Sequence, residues 1–354
     1  MAKKKVKSKS KRSNHKKGYV IISILALVSS LIVYILFLRS STISDSEDTT
    51  ILISSNNAEK TYVKPVLKEN MKPINFQAFL VLADLFDYWN NIKPGRYKIE
   101  RNSSIYSIFR KLKGGNQTTV NLIINKFRTK KDLSKFVSNK LNISSSDMYE
   151  FLTNKDSLSL LGLNPEQVMT IIIPNTYSIY WNTNPKEFLM KMQKESNEFW
   201  NTDRIEKAKI LGLSKEEIYI IASIIEEETN NTAEKPKMAS VYLNRLKKNM
   251  PLGADPTIKF ALGDFSIKRI TLNDINNSSS SSYNTYKNKG LPPGPICTPS
   301  IVTIDAVLKS ERTGYLYFCA KPDFSGSHNF ANTADQHFEN ARQYRIALDQ
   351  RKIH

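Results

Sequence analysis

Residues 222–229 read ASIIEEET, and the three consecutive carboxylates at 226–228 are the densest chemical feature of the chain. A carboxyl group half removed from water has a raised pKa and can serve as a general acid near neutral pH. What such a group can do depends on the element that carries it. The stretch 214–229, SKEEIYIIASIIEEET, predicts a helix. Ser214 and Glu217 fit a capping box, and Ile218, Ile221, Ala222 and Ile225 recur at i, i+3, i+4, i+7 as a buried stripe. At about 100° per residue, Glu227 points away from that stripe and is expected in solvent. Glu226 and Glu228 fall on opposite shoulders, roughly 160° apart on an ideal helix. A straight helix therefore cannot aim both at one bond as a glycosidase carboxylate pair. The spacing allows one-carboxylate chemistry and does not choose between Glu226 and Glu228. A solvated helix end is the plain alternative, although an acid triplet at a helix C-terminus opposes the macrodipole and does not serve helix stability.

The segments that follow must position such an acid. AEKPKMASVYLNRLKK (233–248) predicts a second helix with Met238, Val241, Tyr242 and Leu246 on one stripe and Asn244 and Arg245 near its end. Then come GADPTIKFALGD (253–264), SYNTYKNKGLPPGPI (282–296), YLYFCAKPD (315–323) and SGSHNFANT (325–333). The YNTY and LPPGPI stretch, rich in amides, hydroxyls, aromatics and prolines, suits a sugar polymer as well as it suits an ordered structural loop. His328 is a candidate proton carrier, a sugar contact or a structural histidine. Four histidines and two cysteines, none at ligand spacing, predict no metal site. Cys297 and Cys319 can form a disulfide or stay as two buried thiols. No P-loop, nucleophile elbow or dinucleotide fingerprint is present, so no cofactor is expected.

The net charge of +19 over 354 residues first suggests nucleic acid, but its distribution argues otherwise. Residues 1–18 hold nine Lys/Arg and no acid, leaving +10 for the rest. Directly behind lies Gly18–Leu38, an uncharged run long enough to cross roughly 30 Å of bilayer core as a helix. The run exceeds a signal-peptide core and no small-x-small site follows, so it is expected to stay as an anchor. Positive charge stays cytoplasmic, which puts the N-terminus inside, the body outside, and nucleic acid out of reach. Past the anchor, the sequence predicts a strand at ILIS (51–54), a helix over 74–88, a strand at GRYKIE and a helix at SIYSIFRKL. A strand at TTVNLII, two helices near 130–141 and 145–154, a strand and turn at Ile171–Ile173 with PNTY, and a capped helix over 184–200 follow. The run Ser278–Ser282 predicts a mobile loop. The fold class is α+β.

ASIIEEET, SVYLNRL, ADPT, YNTY-x4-LPPGPI, YLYF and H-x-F occur in this order over about 110 residues. Together they resemble the endolytic murein transglycosylases of the MltG (YceG-like) family. The resemblance is sharpest after residue 214. It implies a basic cytoplasmic tail (1–17), a membrane helix (18–38), a linker (39–50) and a LysM-like unit (51–125). A connecting α/β region (126–205) and a catalytic domain (206–354) complete the chain. It implies a lyase that cleaves the β-1,4 bond between N-acetylmuramic acid and N-acetylglucosamine without water, leaving a 1,6-anhydro end. By motif position it assigns the acid/base to Glu226. Glu228, Asn244, Asp255, Thr257, Tyr283, Asn284, Thr285, Tyr286 and His328 are then expected around the glycan. Peptidoglycan strands are the implied substrate, membrane lipid the contact of the anchor, and murein synthases the implied neighbours. The cytoplasmic membrane is the implied location, with the catalytic domain extracytoplasmic. An inactive membrane-tethered peptidoglycan-binding scaffold is the alternative. The chain departs from the family pattern in two places: MTIII precedes PNTY where relatives carry an acidic Glu-Gly-aromatic segment, and Glu227 stands where some relatives have a basic residue.

Overall fold

The computed structural model describes residues 11–38 and 47–351, so the expected tail before Lys11 and most of the 39–50 linker lie outside the described residues. The chain is a mixed α+β protein that divides into two compact units. The first runs to Val120 and takes in Tyr180–Asn182; the second holds Asn121–Ile179 and Thr183 onward.

In the first unit, α1 (Lys11–Val33) ends in a wider, π-type turn at Tyr34–Leu38. Lys17–Leu38 is long and apolar enough to cross a membrane. Next come β1 (Thr49–Ile53), α2 (Lys60–Asn70), α3 (Pro73–Leu85), β2 (Gly95–Ile99) and α4 (Ile105–Gly114). β1 and β2 pair antiparallel with Ile51 opposite Tyr97, and the alternation of each strand sends Ile51, Ile53, Tyr97 and Ile99 into one core. α2 has Pro65 in its interior, which is why the sequence did not announce it as a helix. Ser104 caps α4, and Gly115 ends it in the left-handed conformation.

The second unit is entered through β3 (Thr119–Ile123). α5 (Lys130–Ser138), α6 (Ser145–Thr153) and α7 (Lys155–Ser159) follow. β4 (Thr176–Tyr180) pairs with β3. The expected strand at Ile171–Ile173 is corrected here. Val168–Ile171 is one buried 3-10 turn, and the strand starts later, where Tyr177 and Ile179 alternate inward. A run of β-branched residues signals burial as readily as it signals a strand.

The remaining elements are α8 (Pro185–Phe199), α9 (Thr202–Leu211), α10 (Lys215–Glu228), α11 (Lys235–Lys247), α12 (Asp255–Leu262), α13 (Leu272–Asn277) and α14 (Ile301–Leu308). The hairpin β5 (Tyr317–Ala320) and β6 (His328–Ala331) then leads to α15 (Ala334–Gln350). The capping boxes at Asn184/Glu187 and Ser214/Glu217 form as the sequence predicts. α10 is the axis of this unit. Every residue from Ile218 to Ile225 is buried, not one stripe alone. α9, α11, α12 and α14 all pack on it or on each other around it. Tyr219 donates its hydroxyl to the Ile172 carbonyl at 2.6 Å, and the Ser223 hydroxyl accepts from the Ile296 amide at 3.1 Å. These bonds satisfy polar groups that α10 carries into a dry interior. Arg204 of α9 grips Asp305 of α14 through Nε at 2.8 Å and Nη2 at 3.2 Å.

The serine run is tied to α13 at its first residue. Ser278 is buried, donates to the Asp274 carbonyl at 2.9 Å and accepts from Asn284 Nδ2 at 3.0 Å, while Ser279, Ser280 and Ser282 are exposed.

Candidate active site

Because α10 is enclosed on all sides, its three terminal glutamates reach three different surroundings. Glu226 points between α11 and α14. Its Oε2 accepts from Lys235 Nζ at 2.8 Å, from Ser300 Oγ at 3.1 Å and from Thr303 Oγ1. Lys235 is itself only 5% exposed and also donates to Thr303 Oγ1 at 2.6 Å. Three donors on one oxygen make Glu226 an acceptor and the counter-charge of a buried ammonium.

Glu227 corrects the expectation of a solvent-facing residue. Its side chain is 12% exposed and pairs with Lys126 Nζ at 3.0 Å and Arg128 Nη2 at 2.8 Å. Arg128 Nε adds bonds at 3.1 and 3.2 Å. The wheel placed Glu227 opposite the core stripe, but the segment before α5 covers that side. Burial pushes its carboxyl up, yet the bonds from Arg128 and Lys126 overcome this and hold it below the usual carboxylate range. A crevice of about 40 Å³ beside it, lined by Arg128, Glu227, Pro256, Lys259, Phe265 and Ile296, has room for a few waters and none for a sugar ring.

Glu228 faces α11 and α12. Its Oε1 accepts from the Tyr242 hydroxyl at 2.8 Å. Burial raises its carboxyl to about 7 and the Asp255 charge adds to this, against the opposing pull of Tyr242, Lys259 and Arg245. Its position at a helix C-terminus acts in the same direction. A carboxyl raised in this way holds its proton closer to neutral pH than an ordinary glutamate does, as a group that must first give and then take a proton requires.

The other expected residues separate into two sets. Tyr286 and Asp255 lie near Glu228: the Tyr286 hydroxyl donates to Asp255 Oδ1 at 2.5 Å, and both act electrostatically on Glu228. Thr257, Asn284 and Thr285 are fully buried and cannot touch a glycan in this conformation. Thr257 Oγ1 donates to the Ala254 carbonyl at 2.7 Å and lies 2.9 Å from Thr285 Oγ1. Thr285 Oγ1 accepts the Ala254 amide at 3.0 Å. Asn284 donates to the Ile275 carbonyl at 2.8 Å and accepts the Tyr286 and Lys287 amides at 3.0 and 3.1 Å. In YNTY the inner two residues thus fasten the loop and the outer two present rings.

Tyr283 packs its ring 4.7 Å from Phe260 and lines a separate groove with Arg128, Lys130, Tyr149 and Glu166. Asn244 holds the Thr313 and Tyr315 carbonyls, both at 2.9 Å, and so ties α11 to the strand leading into β5. His328 Nδ1 lies 3.0 Å from Glu234 Oε2, and its backbone amide donates to Glu234 Oε1 at 2.9 Å, away from the Glu228 cluster's hydrogen bonds. Cys297 and Cys319 are free thiols; Cys297 is buried and donates to the Ser223 carbonyl at 3.3 Å. Among the described residues no group of His, Cys, Asp and Glu is arranged to hold a metal.

Sequence reasoning missed Tyr242, Lys235 and Arg245. Tyr242 was absorbed into an apolar stripe, although it is the one stripe member with a hydroxyl. Arg245 donates to the Leu316 carbonyl at 2.6 Å and the Leu252 carbonyl at 2.7 Å, bringing the chain before α12 under Glu228's field. Gly253, with φ +55, passes so close that a Cβ would sit 3.2 Å from Arg245 Nη1.

The YceG-like family is matched over residues 55–343, most of the chain. The chain belongs to the YceG-like family. Two relatives are both described as endolytic murein transglycosylases. The Bacillus subtilis protein is 37% identical over 163 residues, covering 46% of this chain and 44% of its own length. The Streptococcus pneumoniae D39 protein is 32% identical over 180 residues, 49% of this chain and 31% of its own. The chain thus spans less than half the length of the curated relatives it matches. A crystal structure described as a putative yceG-like protein, lmo1499, of Listeria monocytogenes aligns with a TM-score of 0.53 at 24% identity. It covers 83% of this chain and 99% of that one, which establishes a shared YceG-like fold.

Proposed function

We propose that this chain is a membrane-anchored endolytic murein transglycosylase in which Glu228 is the single acid and base. The observation that carries the assignment is the carboxyl at about 7, bonded to Tyr242 and set beside Asp255 and Tyr286. Motif position alone favoured Glu226; the three donors on its Oε2 argue for a structural role instead. The chemistry needs one carboxyl. Protonated Glu228 gives its proton to the oxygen of N-acetylglucosamine that leaves C1 of the muramyl residue. The resulting carboxylate takes the proton of the muramyl C6 hydroxyl as O6 attacks C1. A 1,6-anhydro ring forms, the acid is regenerated, and water is not consumed. Tyr242 holds the carboxyl in place in both states, as donor to the oxygen it already contacts.

The remaining parts of the reading follow the same family. Lys17–Leu38 is the anchor, with the N-terminus cytoplasmic and the chain after Leu38 outside the cytoplasmic membrane. The strand–helix–helix–strand order of β1, α2, α3 and β2 supports a LysM-like unit. Cleavage within nascent strands, beside murein synthases, would end their elongation.

The test is product analysis. Detergent-solubilised full chain is incubated with purified murein, and anhydro-muramyl products are sought by mass. Wild type and Glu226→Gln should yield them and Glu228→Gln should not, each variant first shown to be folded by circular dichroism because Glu226→Gln leaves the buried Lys235 without its carboxylate. Normal cleavage by Glu228→Gln, with Glu226→Gln inactive, overturns the assignment. Binding without product from wild type overturns the enzyme and favours the scaffold.

A further inference from the structure

α3 is apolar on two faces. Phe76, Phe79 and Ala83 point into the core of the first unit. Ile74, Val81 and Leu85, spaced i, i+7, i+11 on the other face, are 52%, 66% and 71% exposed, and Phe86 just beyond is 48% exposed. Gln77 and Asp84 are exposed along one edge of this face, Asp84 paired with Lys60 at 3.5 Å, and the apolar strip beside them is left uncovered among the described residues.

The patch is continuous with the membrane-spanning helix. Ile35 and Leu36, at the outer end of that helix, pack against the core of the same unit. Phe37 lies 4.7 Å from Tyr106 of α4. One turn on, Phe109 of α4 lies 5.6 Å from Phe86. An aromatic path therefore leads from the end of the span to the C-terminal end of α3. Lys113 caps the path, with Nζ 4.9 Å from the Phe86 ring and 5.8 Å from Phe109. Aromatic rings with a flanking lysine are the side chains that favour the lipid–water boundary.

We propose that the outer face of α3, with Phe86, is a lipid-docking surface that seats the first unit in the membrane boundary. It rests on the reading of Lys17–Leu38 as an anchor, and its occupant is lipid acyl chain rather than protein. The argument for that occupant is covalent and geometric continuity: residues that cannot leave the edge of the bilayer pack into the unit that carries the patch. The seat fixes the unit to the surface by two attachments, the span and α3, so that it cannot pivot freely on the residues after Leu38.

The test is nitroxide accessibility in the full chain, reconstituted into phosphatidylethanolamine/phosphatidylglycerol vesicles. Labels are placed at Val81→Cys and Leu85→Cys in a Cys319→Ser background, Cys297 being buried. Leu27→Cys reports on the span, and the same nitroxide free in buffer is the water reference. The expected result is that labels at 81 and 85 relax more with oxygen than with a water-soluble nickel chelate, as at 27 and opposite to the free label. Nickel-accessible labels at 81 and 85 with an oxygen-accessible label at 27 overturn the seat and leave the anchor standing. A nickel-accessible label at 27 overturns both. Shielding of 85 from both reagents means that protein covers the face, and overturns lipid as its occupant.

Discussion

Replacing Glu228 by glutamine should make the protein more stable at pH 8 and change little at pH 4, while abolishing cleavage. The folded carboxyl titrates near 7 against an ordinary value of 4.5. Below pH 4.5 the group is protonated in both states and costs nothing. As pH rises from 4.5 to 7, the unfolded chain ionises while the folded one does not, and stability is lost through that window. Above 7 the loss is complete. At about 1.4 kcal/mol per tenfold, the gap amounts to about 3 kcal/mol. Glutamine carries no charge and keeps an oxygen that can accept the Tyr242 hydroxyl, so it avoids the loss. For a domain of this size, about 3 kcal/mol raises Tm by roughly 6–12 °C. Thermal unfolding of the detergent-solubilised chain, wild type against Glu228→Gln, at pH 4, 5 and 8 reads the effect. The gain should grow steadily across the series, staying under about 1 kcal/mol at pH 5. A gain that is equal at all three values, or a loss at pH 8, refutes the claim that burial of this carboxyl sets its proton affinity.

The pH dependence of cleavage follows from the same group. The first proton transfer needs the acid form, so kcat/KM should fall tenfold per pH unit above about 7, and in Tyr242→Phe, which loses a bond that lowers the carboxyl, the fall should begin at higher pH. Lys235→Met should destabilise by about 3–5 kcal/mol in chemical unfolding because it leaves Glu226 without its buried cation, and adding Glu226→Gln should recover much of that loss. Gly294→Ala should lower Tm clearly, because a Cβ at 294 would lie 2.0 Å from the Glu166 carbonyl oxygen and one backbone would have to move; an unchanged Tm would mean the two segments do not hold each other.

Elements with local signatures were legible in the sequence. The capping boxes at Ser214 and Asn184 and the strand at GRYKI each depend on a few adjacent residues. What could not be read depends on coverage by distant chain. The wheel that sent Glu227 to solvent was correct about angle, but Lys126 and Arg128 come from another part of the sequence to meet it. The same limit applies to the acid. Glu226 and Glu228 sit on equivalent shoulders; only the neighbours brought by α11, α12 and α14 make one a counter-ion and the other a titrating group near neutrality. The YNTY residues were read as one sugar-facing set, whereas the burial of Asn284 and Thr285 is imposed by their bonds to α13 and to the chain at Ala254.

Because the three glutamates are each tethered to a different part of the molecule, the end of α10 works as a phase lock. Adding or removing one residue anywhere in α10 would turn all of them by about 100°. One such change would leave Lys235 without its counter-charge, part Arg128 from its carboxylate and carry the titrating group away from Tyr242. An insertion or deletion here would thus undo three tethers at once, where the exchange of one glutamate undoes a single one.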